Sequence, residues 1–316
     1  MNKRRIVILV FLILLVITIA ASITLGSRRI SLEELTDGLL HPSVSSYGAN
    51  VVRKRVIRTV FSLLCGAALG VSGALMQAVT RNPIADPSIL GVNTGAAFFV
   101  VCGIAFFHIS TAGQYIVFAL AGAMLAAIAV YSIGSMGRGG ATPIKLVLSG
   151  TAVSAALSSL ISAILLPRSY VLDQYRFWQV GSVGSGTIHG ILTFSPLLAA
   201  GFVIALLCAP ALNALALGDE AATGLGVHTK TLRLTAAAGG VLLCGSTTAL
   251  AGPIGFIGLL APHIMRLLLG SNLRLTIPLS ALAGAVILTI ADVIGRLPLY
   301  PGELEVGIVT AFVGAA

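Results

Sequence analysis

The sequence predicts an all-α protein that crosses a membrane many times, and its composition carries this prediction. Of its 316 residues, 57% are hydrophobic and only 9% are Asp, Glu, Lys or Arg, against roughly a quarter in ordinary soluble domains. The mean hydropathy is +1.04. A soluble fold with so few charges would leave apolar side chains facing water, which excludes cytosolic enzymes, nucleic-acid-binding domains and disordered chains. A β-barrel is disfavoured because its strands would alternate polar and apolar residues.

Ten apolar runs are the candidate membrane spans, since a helix needs about 20 mostly apolar residues to cross the hydrocarbon. The first, 6–25, follows Lys3, Arg4 and Arg5. It could be a signal peptide, but it is long and no small-residue cleavage site follows, so we expect a retained span. The last, 306–316, is too short to cross, and we expect the chain to break off within it. The other runs are 59–79, 91–107, 115–133, 144–166, 190–207, 234–251, 254–269 and 277–294.

We attribute the net charge of +9 to membrane topology. The basic residues form short clusters between the apolar runs, where lysine and arginine hold loops on the cytoplasmic side of a membrane. We expect a single transmembrane domain, residues 1–316, with its N-terminus in the cytoplasm. This topology places ten basic residues inside and nine outside, whereas the positive-inside rule expects a clear inward excess. Six of the outer charges lie between the first two spans. Either the topology is wrong or these charges serve another purpose.

A polar segment, residues 217–228, separates the sixth and seventh spans on the predicted inner side. Asp219 and Glu220 can cap a short helix that Gly224 or Gly226 ends. Such a helix at the cytoplasmic face would suit the docking of a soluble partner, and a simple solvated loop is the alternative.

The remaining polar residues give little support for enzyme chemistry. Asp292 is the one acid clearly within a span, and an ion pair with Arg296, one helical turn further on, is its simplest explanation. The five histidines are dispersed, and the four cysteines lie within apolar runs, where inert thiols are expected. An ion-driven carrier would need several embedded acids. The sequence therefore favours transport powered by another subunit, with a stand-alone secondary transporter or channel as the alternative and a membrane-embedded enzyme as a third.

From about residue 55 to its end, the sequence resembles the FecCD-type (type II importer) permeases of ATP-binding cassette transporters, which take up iron–siderophore complexes, haem and vitamin B12. Many short motifs occur in the order typical of that family, which makes the resemblance specific. They are Arg55-Val56-Ile57-Arg58-Thr59, Ser72-Gly73-Ala74-Leu75-Met76-Gln77, Thr80 to Pro87, Leu90-Gly91-Val92, Phe177-Trp178-Gln179-Val180-Gly181-Ser182, Gly218-Asp219-Glu220, Pro262-His263 and Ala291-Asp292.

The resemblance implies the type II importer fold with about ten spans, in a bacterial cytoplasmic membrane. It implies a non-catalytic permease that works by alternating access and binds no cofactor. The expected partners are a second permease, identical or paralogous, two cytoplasmic ATPase subunits that use ATP and Mg²⁺, an extracytoplasmic binding protein and membrane lipid. Nucleic acid is not among them. An iron(III)–siderophore complex is the expected substrate, with haem and cobalamin as alternatives.

The resemblance also implies roles for individual residues. In this family the arginines that match Arg55, Arg58 and Arg296 meet acidic residues of the binding protein, which would explain the outer positive charge. Gln77 and Ser154 are candidates for contacts in the transport pathway, with helix packing as the alternative role. The loop 217–230 would couple the permease to the ATPase, through Gly218, Asp219, Glu220, Ala221, Ala222, Thr223, Gly224, Leu225 and Gly226.

Overall fold

The computed structural model describes residues 3–137, 142–298 and 302–315, and every regular element within them is a helix. A single 3₁₀ turn, Pro87–Leu90, precedes the fourth α-helix. The α-helices are α1 (Lys3–Thr24), α2 (Leu32–Leu40), α3 (Tyr47–Thr80), α4 (Val92–Phe107), α5 (Ala112–Ser135), α6 (Pro143–Leu165), α7 (Ser169–Gln179), α8 (Ile188–Leu215), α9 (Asp219–Gly224), α10 (Thr229–Ala251), α11 (Ile257–Leu269), α12 (Leu273–Gly295) and α13 (Val306–Ala315).

The all-α fold predicted from composition is confirmed. Each of the ten apolar runs coincides with one helix, namely α1, α3, α4, α5, α6, α8, α10, α11, α12 and α13. Seven helices in the described part of the chain are long and apolar enough to cross a membrane, whereas α4 and α11 are shorter apolar helices. The helices α2 and α7 are short, lie outside the apolar runs and were not expected from the sequence.

Local sequence signals explain where several helices begin. Ser31 and Glu34 form a reciprocal capping box at the start of α2, in which each side chain accepts a hydrogen bond from the other residue's backbone N–H. Thr111 and Gln114 do the same at the start of α5. Thr142 caps α6, and the next residue is a proline, whose fixed φ suits the first helical position.

Helices α3, α10 and α12 form the buried centre of the bundle, and α1, α6 and α8 lie at its periphery. Very close backbone contacts hold α3 against its neighbours. A Cβ atom added at Gly66 would collide with the backbone of Gly284 in α12, and one added at Gly73 would collide with the carbonyl oxygen of Gly258 in α11. In lipid, where no hydrophobic force drives helices together, such small-residue contacts permit dense packing.

Two ends of this bundle carry the polar residues of interest. We call the end formed by α9, the start of α10 and the C-terminus of α3 the α9 end. The opposite end, where α3 begins and α12 finishes, is the Asp292 end. With 34 residues, α3 is about 51 Å long at 1.5 Å per residue, and it reaches both ends. Since the C-terminus of α1 meets Arg55 near the start of α3, the first residues of α1 lie toward the α9 end.

Candidate functional site

The segment 217–230 forms a short helix, as the sequence predicts. The helix α9 is flanked by Gly218 and Gly226, whose φ angles of 121° and 81° favour glycine. Within α9 Ala222 is fully buried, while Leu217 before the helix and Leu225 after it are 72% and 66% exposed. Two exposed leucines beside a helix at the end of a bundle form an apolar surface that lies outside the packed core.

One detail of that prediction is wrong. Asp219 and Glu220 do not cap α9, because its N-cap position is occupied by Gly218 and has no side-chain hydrogen bond. Both acids lie in the first turn of the helix, where the helix dipole favours negative charge. The carboxylate of Asp219 is engaged with arginines of other helices instead.

Asp219 is held between two arginines that come from different helices. Arg81, the residue that ends α3, donates from Nη2 to Oδ1 of Asp219. Arg233, in the first turns of α10, donates from Nη2 to both carboxylate oxygens at 2.8 and 3.1 Å. Arg233 is buried, whereas the Asp219 side chain is 50% exposed. This cluster, which we call the Asp219 clamp, joins α9 to the ends of α3 and α10.

A second acid occupies a similar position at the opposite end. Arg58 of α3 donates to Asp292 from Nε at 3.0 Å and from Nη2 at 2.7 Å. Arg296 approaches the other carboxylate oxygen, with Nη2 2.7 Å from Oδ2. The local ion pair expected from the four-residue spacing is therefore present. Arg58, the second partner of Asp292, was not expected from the sequence. The Asp292 side chain is only 1% exposed, so this pair of contacts is buried.

The three arginines predicted to meet a binding protein lie together at the Asp292 end, but two of them are buried. Arg296 also donates to the backbone carbonyl of Ser22 at 2.9 Å and to its hydroxyl at 2.7 Å. Arg55 donates to the carbonyl oxygens of Thr24 (2.9 Å) and Arg28 (2.7 Å). These carbonyls lie at and beyond the C-terminus of α1, where backbone oxygens lack helical partners. Arg55 and Arg296 thus fasten α1 to α3 and α12.

Arg58 is the most accessible of the three, with a side chain that is 15% exposed. Its Nη1 lies 2.6 Å from Oε2 of Glu303, in the segment that precedes α13. Ser27 also donates to Glu303, at 3.1 Å. Burial alone would raise the pKa of Glu303, but the hydrogen bond and the charge of Arg58 outweigh it and hold that pKa below its usual value.

The two pathway candidates lie in different settings. Gln77 of α3 is buried, and its amide nitrogen is 3.4 Å from the carbonyl oxygens of Gly258 and Leu259 in α11. This contact supports the alternative role, helix packing. Ser154 of α6 is half-buried next to Gly91. Among the described residues, no group of three or more His, Cys, Asp or Glu side chains is arranged to hold a metal ion.

Comparisons with known proteins identify the family of the chain. Residues 14–316 match the FecCD transport family. The ferric enterobactin transport system permease protein FepD of Escherichia coli (strain K12) is 42% identical over 313 residues, which cover 99% of this chain and 93% of that protein. The iron(3+)-hydroxamate import system permease protein FhuB of Bacillus subtilis (strain 168) is 39% identical over 310 residues, which cover 98% of this chain and 80% of that protein.

A solved structure is similar over nearly the whole chain. It is described as a metal-chelate type ABC transporter in an inward-facing conformation, and it matches with a TM-score of 0.83 and 30% sequence identity. The match covers 98% of this chain and 96% of that one. The resemblance drawn from the sequence motifs is confirmed, and a permease that works within an ABC transporter is favoured over a stand-alone carrier. The chain belongs to the FecCD transport family.

Proposed function

We propose that the chain is the membrane-spanning permease subunit of an ATP-binding cassette importer in the bacterial cytoplasmic membrane. Its substrate would be an iron(III)–siderophore complex, with haem or cobalamin as less favoured alternatives. The observation that carries this proposal is the family match over residues 14–316, together with similar permeases named for ferric enterobactin and iron(3+)-hydroxamate. The permease itself catalyses no reaction, and ATP with Mg²⁺ is hydrolysed on the partner subunits.

The α9 end is proposed to face the cytoplasm and to bind an ATPase subunit through the loop 217–230. This orientation places the basic residues 3–5 on the cytoplasmic side, as the positive-inside rule favours. The exposed Leu217 and Leu225 would fill an apolar groove of the ATPase, in the manner of other helices that dock on soluble partners.

A second permease subunit is proposed to cover α6, because most of the exposed residues of this helix are small or hydroxyl-bearing. α1 and α6 both lie at the periphery, yet their exposed residues differ. Those of α1 include large aliphatic side chains such as Leu9, Ile13 and Val16. α6 also exposes the large side chains of Ile144, Leu148 and Leu160. Its remaining exposed side chains are small or hydroxyl-bearing, a type that is common at helix–helix contacts in membranes. They are Thr151, Ala152, Ala155, Ala156, Ser158, Ser159, Ser162 and Ala163. The pathway would run between the two copies, near Ser154.

The Asp292 end is proposed to receive an acidic, extracytoplasmic binding protein. Arg58 would contact it directly, since its side chain is partly accessible and already holds a surface carboxylate, that of Glu303. Arg55 and Arg296 would support that contact by fixing the helix ends around Arg58. Exposed basic residues nearby, Arg29 and Lys54, would add to the attraction between the two proteins.

The decisive experiment is uptake of iron-loaded siderophores by a strain that lacks this permease and carries it on a plasmid. We expect uptake to return only when the cognate ATPase and binding protein are also present. Replacing the ATPase with a variant that cannot hydrolyse ATP should abolish uptake. Uptake that persists with the inactive ATPase would instead support the stand-alone carrier.

A further inference from the structure

We propose that the Asp219 clamp is the connection through which movement of α9 reaches the transmembrane helices. In this role Arg81, Asp219 and Arg233 are positioning residues, and they touch neither substrate nor ATP. The inference rests on the proposed docking of the ATPase at α9. Beyond docking, the proposal identifies the side chains that transmit the movement and the helices that receive it.

The Asp219 clamp connects α9 to the transmembrane helices, to which its backbone is joined only through short, glycine-containing connections. α9 is six residues long, and it is separated from α8 and α10 by Gly218 and Gly226, both at positive φ. Its own backbone hydrogen bonds, such as that from Ala222 to Gly218, are local. The carboxylate of Asp219 reaches beyond the segment, to an arginine 138 residues earlier in the chain and to one 14 residues later. A displacement of α9 therefore pulls on α3 and α10 together.

The conformation of Arg81 supports a specific role for its side chain. Arg81 ends α3 with φ 49° and ψ 32°, in the left-handed region where glycine is the usual residue. Arginine does not favour this backbone conformation over glycine, so the backbone does not explain why an arginine stands here. Its guanidinium instead supplies one of the two contacts to Asp219. The position thus combines a helix end with a charged link to α9.

The two halves of the clamp differ in their exposure to water. Arg233 is buried in α10, so its contact with Asp219 is shielded from solvent. The side chains of Arg81 and Asp219 are 32% and 50% exposed, so their contact is screened and can open without burying an unpaired charge. Such an arrangement keeps α9 attached to α10 while its attachment to α3 is able to break and form again.

The test uses the complete importer, with ATPase and binding protein, in liposomes. Asp219→Asn keeps the shape of the side chain and removes its charge. Arg81→Gly removes the guanidinium and suits the left-handed backbone, so it should fold at least as well. For both variants we expect uptake per ATP hydrolysed to fall about tenfold, within the range typical of coupling between distant sites. The ATPase should still co-purify, and Arg81→Lys should restore much of the uptake.

Arg274→Gln is the matched control, because Arg274 is an exposed arginine near the start of α12. It belongs neither to the Asp219 clamp nor to the loop 217–230. It should leave uptake per ATP unchanged. Unchanged coupling in Asp219→Asn and Arg81→Gly would overturn the clamp, as would an equal loss in Arg274→Gln. If the ATPase fails to co-purify with Asp219→Asn alone, Asp219 belongs to the surface that binds the ATPase, and the proposed role of the clamp is overturned. If Leu225→Ser leaves ATPase binding intact, the docking proposal fails, separately from the clamp.

Discussion

The two ends of the bundle use the same ionic arrangement in different surroundings. At each end one aspartate lies between two arginines, and one of these arginines belongs to α3: Arg58 for Asp292 and Arg81 for Asp219. The Asp292 side chain is 1% exposed, whereas the Asp219 side chain is 50% exposed. Removing one partner from a buried ion pair leaves an uncompensated charge, while an exposed pair exchanges its partner for water. The ion pairs at the Asp292 end are therefore costly to break, whereas the exposed contact between Arg81 and Asp219 at the α9 end can open at lower cost.

The largest expected effect is at Asp292. Asp292→Asn leaves the guanidiniums of Arg58 and Arg296 without their carboxylate in a buried site, and we expect it to cost about 3–5 kcal/mol of stability. Denaturant unfolding in detergent would measure it. Asp173→Asn is the control, because its pair with Arg176 is exposed and 3.8 Å long. A loss at Asp292 no greater than that at Asp173 would show that the two ends do not differ as described.

Substitution of Arg58 should have a smaller effect on stability and a separate effect on docking. Arg58→Gln leaves Asp292 paired with Arg296, so we expect a loss of about 1–3 kcal/mol. Affinity for the proposed acidic binding protein should also fall, most visibly at low salt, where charge interactions are least screened. Titration of the binding protein against the reconstituted importer at two salt concentrations checks this. Affinity equal to that of the unsubstituted permease would show that Arg58 does not contact the binding protein.

A pH-dependent effect, smaller than the loss of Arg58, is expected from Glu303. Because Arg58 lowers the pKa of Glu303 in the folded protein, this contact stabilises the fold above the pKa of an unfolded glutamate, about 4.3. The contribution should disappear as the pH falls through the lower folded pKa. Thermal unfolding from about pH 6 to about pH 3.5 would show a falling unfolding temperature. In Glu303→Gln the unfolding temperature should fall less steeply over the same range. An identical pH profile in that variant contradicts the assignment.

The smallest change in stability is expected at Arg81. Arg81→Gly breaks only the exposed contact with Asp219 and leaves that carboxylate paired with Arg233, so we expect a change of about 1 kcal/mol or less. The same unfolding measurement used for Asp292 checks this value. A loss as large as that of Asp292→Asn would mean that the α9 end is as rigidly fixed as the opposite end, and the contrast between them would be lost.

The sequence predicted what depends on composition and on short spacings. Each of the ten apolar runs found by hydropathy falls on a helix in the described part of the chain, and the four-residue spacing identified the pair of Arg296 with Asp292. The partners contributed by α3 were missed, because Arg58 is 234 residues from Asp292 and Arg81 is 138 from Asp219. Such contacts depend on how helices pack and rotate against one another, which a single sequence does not specify. α2 was missed although its Ser31 and Glu34 have the spacing of a capping box.

The exposed face of α6 has a consequence for how the importer is assembled in the cell. If a second permease covers this face, as proposed, the newly inserted chain meets lipid first, and unsatisfied hydroxyls are costly in hydrocarbon. Several hydroxyls of α6 instead donate to carbonyls of their own helix: Thr151 to Leu148, Ser159 to Ala155 and Ser162 to Ser158. The unassembled subunit can therefore remain in the bilayer between synthesis and pairing, with these groups satisfied and available for exchange when the partner arrives.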